Sequence, residues 1–265
     1  MKLLIKNLWI KVLNKQIISN FSLSATKGQI IALIGPNGSG KSTLLKSLLN
    51  HYSTNKNKGA IYLDKTNITK LSTTDIAKLG FFYANQTPVD LPGVKAIDFL
   101  KSIIANTQAN PSFSEIYKQI DSSLKHMDFD SEILQQPVNH HLSGGQKKRF
   151  EIVQANLFAP KVLLLDEIDS GLDVDAMKLI AKNIKLRAKS MITIVVSHHV
   201  NFLKMLVPNK VYMLSAGKIV YSGDSKILTK IESQGFNKYM QTYLAKPEFI
   251  KQDPYRICPT KKLSK

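Results

Sequence analysis

The chain has 265 residues, 43% of them hydrophobic, and a formal net charge of +18 from 37 Lys and Arg against 19 Asp and Glu. This length and hydrophobic share suit one large α/β domain or two closely joined ones, and they argue against global disorder. The one cysteine, Cys258, excludes an internal disulfide and a cysteine-ligated cluster or structural zinc site, because such sites use about four protein ligands. The low cysteine count also indicates a reducing compartment, so a cytoplasmic location is expected.

The hydrophobic runs are short. The run at residues 191–196 is far below the ~18 residues that suggest a membrane span, so direct membrane insertion is not expected. Residues 1–6 are interrupted by charge and lack a small-residue cleavage site, so a signal peptide is not expected. The positive charge could attract an anionic partner, but the lysines are scattered and no nucleic-acid motif accompanies them. A solvated lysine-rich surface is the favoured interpretation, and no nucleic-acid partner is expected.

In chain order, residues 1–30 alternate apolar and polar side chains and predict antiparallel strands. Apolar runs predict further strands at residues 30–34, 59–64, 80–84, 161–167 and 191–196. Helical spacing predicts helices at residues 42–49, at 94–127 with a break at Asn110-Pro111, from Ser143 onward, and at 175–189. The remaining predictions are a loop at residues 137–141, a hairpin at 211–221 and a basic C-terminal tail at 236–265.

A glycine-rich loop joins the predicted strand at residues 30–34 to a helix and fits the phosphate-loop pattern G-x-x-x-x-G-K-[ST]. The glycines let backbone N–H groups converge on one anion, Lys41 can reach the β- and γ-phosphates, and Ser42 can ligate Mg²⁺. A turn without a ligand is the disfavoured alternative, because the lysine and serine are both in register. The phosphate-binding candidates are Gly35, Pro36, Asn37, Gly38, Ser39, Gly40, Lys41, Ser42 and Thr43.

Two acids end the predicted buried strand at residues 161–167. Asp166 can support Mg²⁺, and Glu167 can orient or deprotonate an attacking water. Acids at a strand end can instead cap the next helix, and the phosphate loop upstream makes that alternative less favoured.

A second phosphate cradle is predicted at residues 142–146, where a serine at a helix start is followed by two glycines. Its candidate residues are Ser143, Gly144, Gly145 and Gln146. The five letters are identical to the LSGGQ signature of ATP-binding cassette (ABC) ATPases, and the chain resembles that family over residues 1–235. Within the resemblance, Gln86 is similar to the Q-loop glutamine, residues 170–173 to the D-loop, and His198 to the switch histidine.

The resemblance implies an α/β P-loop NTPase fold with a RecA-like core, an antiparallel β-subdomain and an α-helical subdomain inserted at about residues 86–158. It implies ATP and Mg²⁺ as cofactors, with Ser42, Gln86 and Asp166 as Mg²⁺ ligands and Glu167, His198 and Gln86 as catalytic residues. It also implies a transient ATP-dependent homodimer, in which the signature of one subunit closes over ATP on the other. The family's adenine-stacking aromatic is missing near Val12, and Trp9 is out of register and is expected to pack in the first sheet.

Several segments resemble the SufC family of ABC ATPases, which serves iron–sulfur cluster assembly. Residues 166–176 read DEIDSGLDVDA, residues 86–94 read QTPVDLPGV, and residues 143–149 read SGGQKKR, where Gln146 departs from that family's acid. Residues 222–224 and 232–236 agree with its final strand and helix. This resemblance implies SufB- and SufD-like scaffold partners, bound through about residues 86–141. The alternatives are a nucleotide-binding subunit of a membrane transporter and a non-hydrolysing clamp, and Glu167 and His198 disfavour the clamp.

Four residues near these motifs have open interpretations. Lys148 either pairs with Glu167 in the resting monomer or is a solvated lysine, and the second reading is favoured. His199 is expected to begin a helix rather than bind a ligand. His140 and His141 are expected to lie on the surface, since adjacent loop histidines rarely converge on a metal.

Overall fold

The computed structural model describes residues 1–235 and Tyr239. The predicted basic tail, apart from Tyr239, and Cys258 lie outside the described residues. The strands are β1 (Lys2–Val12), β2 (Lys15–Thr26), β3 (Ile30–Ile34), β4 (Asn55–Leu63), β5 (Thr66–Asn67), β6 (Phe81–Ala84), β7 (Leu91–Lys95), β8 (Pro137–Val138), β9 (Val162–Asp166), β10 (Ile192–Val196), β11 (Lys210–Ser215) and β12 (Lys218–Gly223). The helices are α1 (Lys41–Leu48), α2 (Thr73–Lys78), α3 (Ala96–Thr107), α4 (Phe113–His126), α5 (Gly144–Phe158), α6 (Val174–Ala188), α7 (Val200–Leu206) and α8 (Lys226–Gln234), with a 3₁₀ turn at Ser131–Gln135.

The main sheet has six strands in the order β12-β11-β3-β10-β9-β6. Its strands from β11 to β6 are parallel, and β12 returns antiparallel to β11. Every residue of β3, β9 and β10 is buried, as expected for parallel strands covered on both faces. The carboxyl ends of β3, β6, β9 and β10 meet at one edge, so the loops that follow them gather there.

Alternating residues of the main sheet belong to two different cores. Ile30, Ala32 and Ile34 face a core built with α3 to α8, whereas Ile31 and Leu33 face a core shared with α1 and the first sheet. The side-chain period of two therefore places α3 to α8 on one face of the main sheet and α1 with the first sheet on the other.

The first sheet is antiparallel, with the order β2-β1-β4-β5, and confirms the strands predicted within residues 1–30. β4 begins at Asn55, earlier than the prediction of residue 59, because its first half is polar and exposed and gives no hydrophobic signal. A register shift between Lys6 and Trp9 interrupts its pairing with β1.

Helices α3 and α4 confirm the predicted pair with its break near Asn110-Pro111. α4 and α5 each begin with a capping box, from Ser112 to Glu115 and from Ser143 to Gln146, which satisfies the free N–H groups of the first turn. α3 and α4 both pack against α5. The inserted helical subdomain at about residues 86–158 stays a prediction as a domain division.

The predicted loop at residues 137–141 is wrong in part, because Pro137–Val138 form β8 and pair with β7. Neither strand was predicted, since both are short and contain proline, which weakens the strand signal. α6 and the β11–β12 hairpin confirm their predictions, and Met177, Ile180 and Ile184 of α6 are buried as expected. Within the described part of the chain, no helix combines the length and apolar character needed to cross a bilayer.

Candidate active site

The phosphate loop leaves the carboxyl end of β3 and leads into α1. A Cβ at Gly35 would collide with the carbonyl oxygen of Leu214, so only glycine fits there. Gly40 has φ +101° and a Cβ on it would meet the Ile18 side chain, so it too requires glycine. The remaining loop candidates, Pro36, Asn37, Gly38 and Thr43, lie in the same turn and in the first turn of α1.

Lys41 folds back over the loop that precedes it. Its Nζ donates hydrogen bonds of 2.9 Å to the carbonyl oxygens of both Gly35 and Pro36. Burial lowers the pKa of Lys41, while the charges of Glu167 and Asp166 oppose that shift. Ser39 Oγ is buried in the same loop and has no hydrogen-bond partner among the described residues. A phosphate oxygen would supply the partner that Ser39 Oγ lacks and would attract the Lys41 ammonium, so the loop fits the phosphate groups of a nucleotide.

Asp166, at the end of β9, links the phosphate loop to the sheet edge. Ser42 Oγ donates to its Oδ1 at 2.8 Å, and the Tyr83 hydroxyl donates to its Oδ2 at 2.7 Å. Hydroxyl and carboxylate oxygens are the donors that Mg²⁺ prefers, so Ser42 and Asp166 fit the predicted metal role. The contact of Tyr83 with Asp166 was not predicted from the sequence, because Tyr83 lies in a predicted apolar strand. Burial and the adjacent Asp166 charge raise the pKa of Tyr83, so it remains a hydrogen-bond donor at neutral pH.

Glu167 contacts the other two predicted catalytic residues. Gln86 Nε2 donates to its Oε2 at 2.8 Å, and His198 Nε2 lies 3.0 Å from its Oε1. Its backbone has φ +50°, a left-handed conformation that costs a non-glycine residue about 1–3 kcal/mol. The carboxylate is thus held at a strained turn directly beside the phosphate loop and Asp166.

Lys148 of α5 is buried, with 6% of its surface exposed, so the favoured reading as a solvated lysine is wrong. The less favoured alternative, a pairing with the Glu167 carboxylate, is not among the hydrogen bonds and ion pairs of the described residues either. Instead, Lys148 Nζ donates to the backbone carbonyl of Glu167 at 3.1 Å and to that of Ser170. The lysine reaches beneath the strained turn because α5 packs directly against the sheet edge, which the sequence could not reveal.

His199 caps α7 and confirms its prediction as a helix-start residue. Its Nδ1 lies 3.6 Å from Oδ2 of the buried Asp169, which also accepts a 2.6 Å hydrogen bond from Ser197 Oγ. The His140 and His141 rings are in edge contact with each other, and His141 is exposed. Among the described residues no cluster of three or more His, Cys, Asp or Glu side chains could hold a metal ion.

The signature residues are apart from the phosphate loop within this chain. Ser143 caps α5: its backbone N–H donates to Gln146 Oε1 at 2.9 Å, and its Oγ accepts from the Gln146 backbone N–H at 3.3 Å. Gly144 has open space where a Cβ would lie, and a Cβ on Gly145 would lie 3.3 Å from Leu172. No described hydrogen bond or ion pair joins Ser143 through Gln146 to the phosphate loop in residues 1–235.

The first sheet offers no aromatic at the end of β1 near Val12. Trp9 is partly buried, is paired with Lys58 across the sheet, and has Lys58 Nζ 5.7 Å from its ring centroid. It packs in the first sheet as expected.

Phosphate loops that end against a strand-terminal aspartate in this way occur in P-loop nucleoside-triphosphate hydrolases, and the fold places this chain in that class. Residues 18–170, more than half of the chain, match the family model described as ABC transporter. The chain belongs to this family of ABC ATPases, and the predicted fold class is confirmed. It is an ATP-binding subunit of the ABC transporter type and an ATPase.

Relatives of known name cover nearly the whole chain. Vegetative protein 296 of Bacillus subtilis is 33% identical over 255 residues, which are 95% of this chain and 98% of that protein. A probable ATP-dependent transporter, ycf16 of Antithamnion sp., is 36% identical over 239 residues, which are 88% of this chain and 95% of that protein. A probable ABC transporter ATP-binding protein of Streptococcus pyogenes serotype M18 is 34% identical over 236 residues, with 88% and 92% covered. None of these three names refers to SufC.

Solved structures share the fold. The dimeric ATP-binding cassette MJ0796, bound to ADP and Pi, has a TM-score of 0.71 at 21% identity and covers 84% of this chain and 98% of its own. A bacterial Atm1-family ABC exporter with ATP bound has a TM-score of 0.72 at 21% identity and covers 92% of this chain and 42% of its own. The two TM-scores show that this chain shares the fold of the cassette and of part of the exporter.

Proposed function

We propose that this chain is a SufC-like ATPase, whose ATP cycle changes the conformation of a SufB–SufD-like scaffold during iron–sulfur cluster assembly. The observation that carries the proposal is residues 166–176, where an acid, Asp169, is buried next to the catalytic turn. Transporter cassettes more often carry a hydroxyl residue there. In this chain Asp169 has a dedicated partner in Ser197, so the SufC-like sequence of the segment has a structural use.

The site residues have proposed roles in ATP hydrolysis. Lys41 and the loop N–H groups bind phosphate oxygens, and Ser42, Asp166 and Gln86 hold Mg²⁺, which neutralises phosphate charge when bound. Glu167 orients or deprotonates the attacking water, and His198 contacts the γ-phosphate. Glu167 already contacts both Gln86 and His198, so its carboxylate is placed by residues from two other strand ends.

Each chain provides two separated halves of a nucleotide site, the phosphate loop and the Ser143–Gln146 signature. We propose that two copies pair transiently when ATP fills the space between the phosphate loop of one and the signature of the other. Hydrolysis removes the γ-phosphate contacts that hold the pair closed, so the copies separate. We also propose that a helical subdomain is inserted at about residues 86–158, that the chain is cytoplasmic and that it has no nucleic-acid partner.

The surface between Gln86 and α3 is the proposed scaffold contact. Val89 precedes β7 and is 64% exposed, and Val94 lies within β7 and is 40% exposed. Apolar side chains in a segment that begins at a catalytic glutamine suit a partner that senses the nucleotide state. The same segment would face a permease in the alternative function, a transporter subunit, so exposure alone does not separate the two.

A membrane-free pull-down distinguishes the SufC-like function from the transporter function. The purified chain is expected to capture SufB- and SufD-like proteins from a detergent-free soluble fraction, and those proteins should raise its ATPase rate. Val89→Asp with Val94→Asp should abolish both effects, while the exposed, distant control Leu186→Asp should not. Capture of a permease from a parallel detergent-solubilised membrane fraction, with no capture of the scaffold proteins and no rate response to them, would favour the transporter alternative and refute the proposal.

A further inference from the structure

A buried carboxylate lies behind the catalytic loop. Glu151 is in the second turn of α5 and only 7% of its surface is exposed. Its Oε1 accepts a 2.8 Å hydrogen bond from the backbone N–H of Asn85, and its Oε2 has no hydrogen-bond partner among the described residues. Burial raises the pKa of Glu151 to about 7 against the opposing effects of Asn85 and Lys148.

The partner of Glu151 is the residue that precedes Gln86. Asn85 follows β6 directly, so its N–H marks the point where the chain leaves the sheet. Gln86 then donates to Glu167 at 2.8 Å. A hydrogen bond on the preceding residue therefore restrains the backbone from which the Gln86 side chain extends.

A second contact holds the same segment from the other side of Gln86. Lys147 Nζ lies 2.6 Å from Asp90 Oδ1 and donates to Oδ2 at 2.9 Å. Lys147 and Glu151 are four residues apart in α5, so they project from the same helix face. The face of α5 thus contacts residue 85 and residue 90, which flank the catalytic glutamine.

Lys148, the neighbouring cation, is not a hydrogen-bond partner of Glu151 among the described residues, so a direct hydrogen bond to it does not account for the buried carboxylate. Its Nζ donates to the carbonyl oxygens of Glu167 and Ser170, while the described hydrogen bond of Glu151 goes to the loop. A buried carboxylate with one backbone partner costs free energy relative to an apolar residue, so its position needs a compensating use.

We infer that Glu151 is a positioning residue for ATP hydrolysis: through Asn85 it fixes Gln86 against Glu167, and with the Asp90–Lys147 pair it makes residues 85–90 follow the signature helix α5. The inference rests on the proposed roles of Gln86 and Glu167. Because Ser143 caps α5 and the next signature residues form its first turn, a movement of the signature during pairing is carried to Gln86 through these contacts.

The primary experiment compares Glu151→Ala with Glu151→Gln in steady-state ATPase assays. Glu151→Ala removes the acceptor of Asn85, and we expect kcat to fall about ten- to a hundredfold, the size of effect that follows from misplacing a catalytic group. KM for ATP should change little, because the phosphate loop is untouched. Glu151→Gln keeps an oxygen acceptor and should restore kcat to near the wild-type value. An unchanged kcat in Glu151→Ala, or equal losses in both variants, would refute the inference.

A double-mutant cycle tests whether Glu151 acts through Gln86. Residues that act as one unit are non-additive, so Glu151→Ala should cost little more in a Gln86→Ala background. Additive losses would show that Glu151 acts by another route. Thermal unfolding and binding of a fluorescent ATP analogue identify any variant that fails to fold, and the Glu151→Gln rescue remains interpretable in that case.

The result can be separated from the proposed function itself. Glu167→Gln and Gln86→Ala test the site roles, and if neither lowers kcat, those roles fail whatever Glu151 does. If both lower kcat and Glu151→Ala does not, only the present inference fails. For the second contact, Asp90→Lys and Lys147→Asp should each lower the scaffold-stimulated rate, and the two together should restore it.

Discussion

His198 Nε2 lies 3.0 Å from Glu167 Oε1, across the gap between the carboxyl ends of β10 and β9. The two residues are 31 positions apart in the sequence, and the parallel pairing of Val196 with Asp166 brings their strand ends together. The geometry brings the proposed γ-phosphate sensor within ion-pair distance of the proposed water-activating carboxylate.

Replacement of the Glu167 carboxylate should strongly slow ATP hydrolysis and leave ATP binding nearly unchanged. Glu167→Gln keeps the size of the side chain and is expected to lower kcat by about 10²–10⁴, the range for loss of a general base. ATP affinity should be nearly unchanged, since Lys41 and the loop glycines remain. Phosphate-release assays and equilibrium nucleotide binding measure the two quantities. The exposed Glu132→Gln is the matched control, and a kcat in Glu167→Gln equal to that of the control would remove Glu167 from this role.

Nucleotide should drive pairing when hydrolysis is blocked. The Glu167→Gln variant with ATP and Mg²⁺ is expected to sediment as a dimer, because in the proposed function each ATP is enclosed by the phosphate loop of one copy and the signature of the other. ADP should leave it monomeric. Gly145→Asp, which puts a negative charge beside the expected phosphates, should prevent the dimer. Sedimentation velocity measures these states, and a dimer that ignores both nucleotide and Gly145→Asp would contradict the model.

Removal of the buried lysine should weaken the catalytic turn. Lys148→Met keeps the aliphatic stem but leaves the carbonyl oxygens of Glu167 and Ser170 without their charged donor. Hydrogen bonds to charged groups contribute about 1.5–3 kcal/mol each, so a loss of stability of a few kcal/mol and a lower kcat are expected. Urea unfolding checks the first effect and ATPase assays the second. The exposed Lys182→Met should change neither, and a Lys148→Met chain as stable as this control would contradict the assigned contacts.

The stability of the chain should depend on pH through Glu151. Burial raises its pKa from the ordinary value of 4.5 to about 7, so the folded state binds this proton more tightly than the unfolded state. The contribution is favourable at and below the ordinary pKa and is lost as pH rises through about 7. Relative to wild type, Glu151→Gln should therefore gain stability between pH 5 and pH 8, by roughly 1–3 kcal/mol at ~1.4 kcal/mol per pKa unit.

Urea unfolding of both proteins at several pH values measures this difference. Subtraction of the two curves removes the groups that titrate alike in each protein. A difference that stays constant from pH 5 to pH 8 would show that Glu151 titrates with an ordinary pKa.

Much of the fold was accessible from the sequence because its signals are local. The all-apolar strands β3, β9 and β10 and the capped helix α5 each carry their pattern in consecutive residues. β7 and β8 were missed because a short pairing with proline depends on the partner strand rather than on its own pattern.

The sequence alone determined the chemistry available to this protein: a glycine-rich phosphate loop that ends in a lysine and hydroxyl residues, and acids at the end of a buried strand. Those properties depend on residue identity and spacing, and each is contained within a few consecutive positions. Tertiary structure decided how the distant groups are used. It brought Lys148 Nζ to the Glu167 carbonyl, the Tyr83 hydroxyl to Asp166, and Glu151 to the Asn85 N–H that precedes Gln86. Helix packing against a sheet edge sets these distances, and no single segment encodes them.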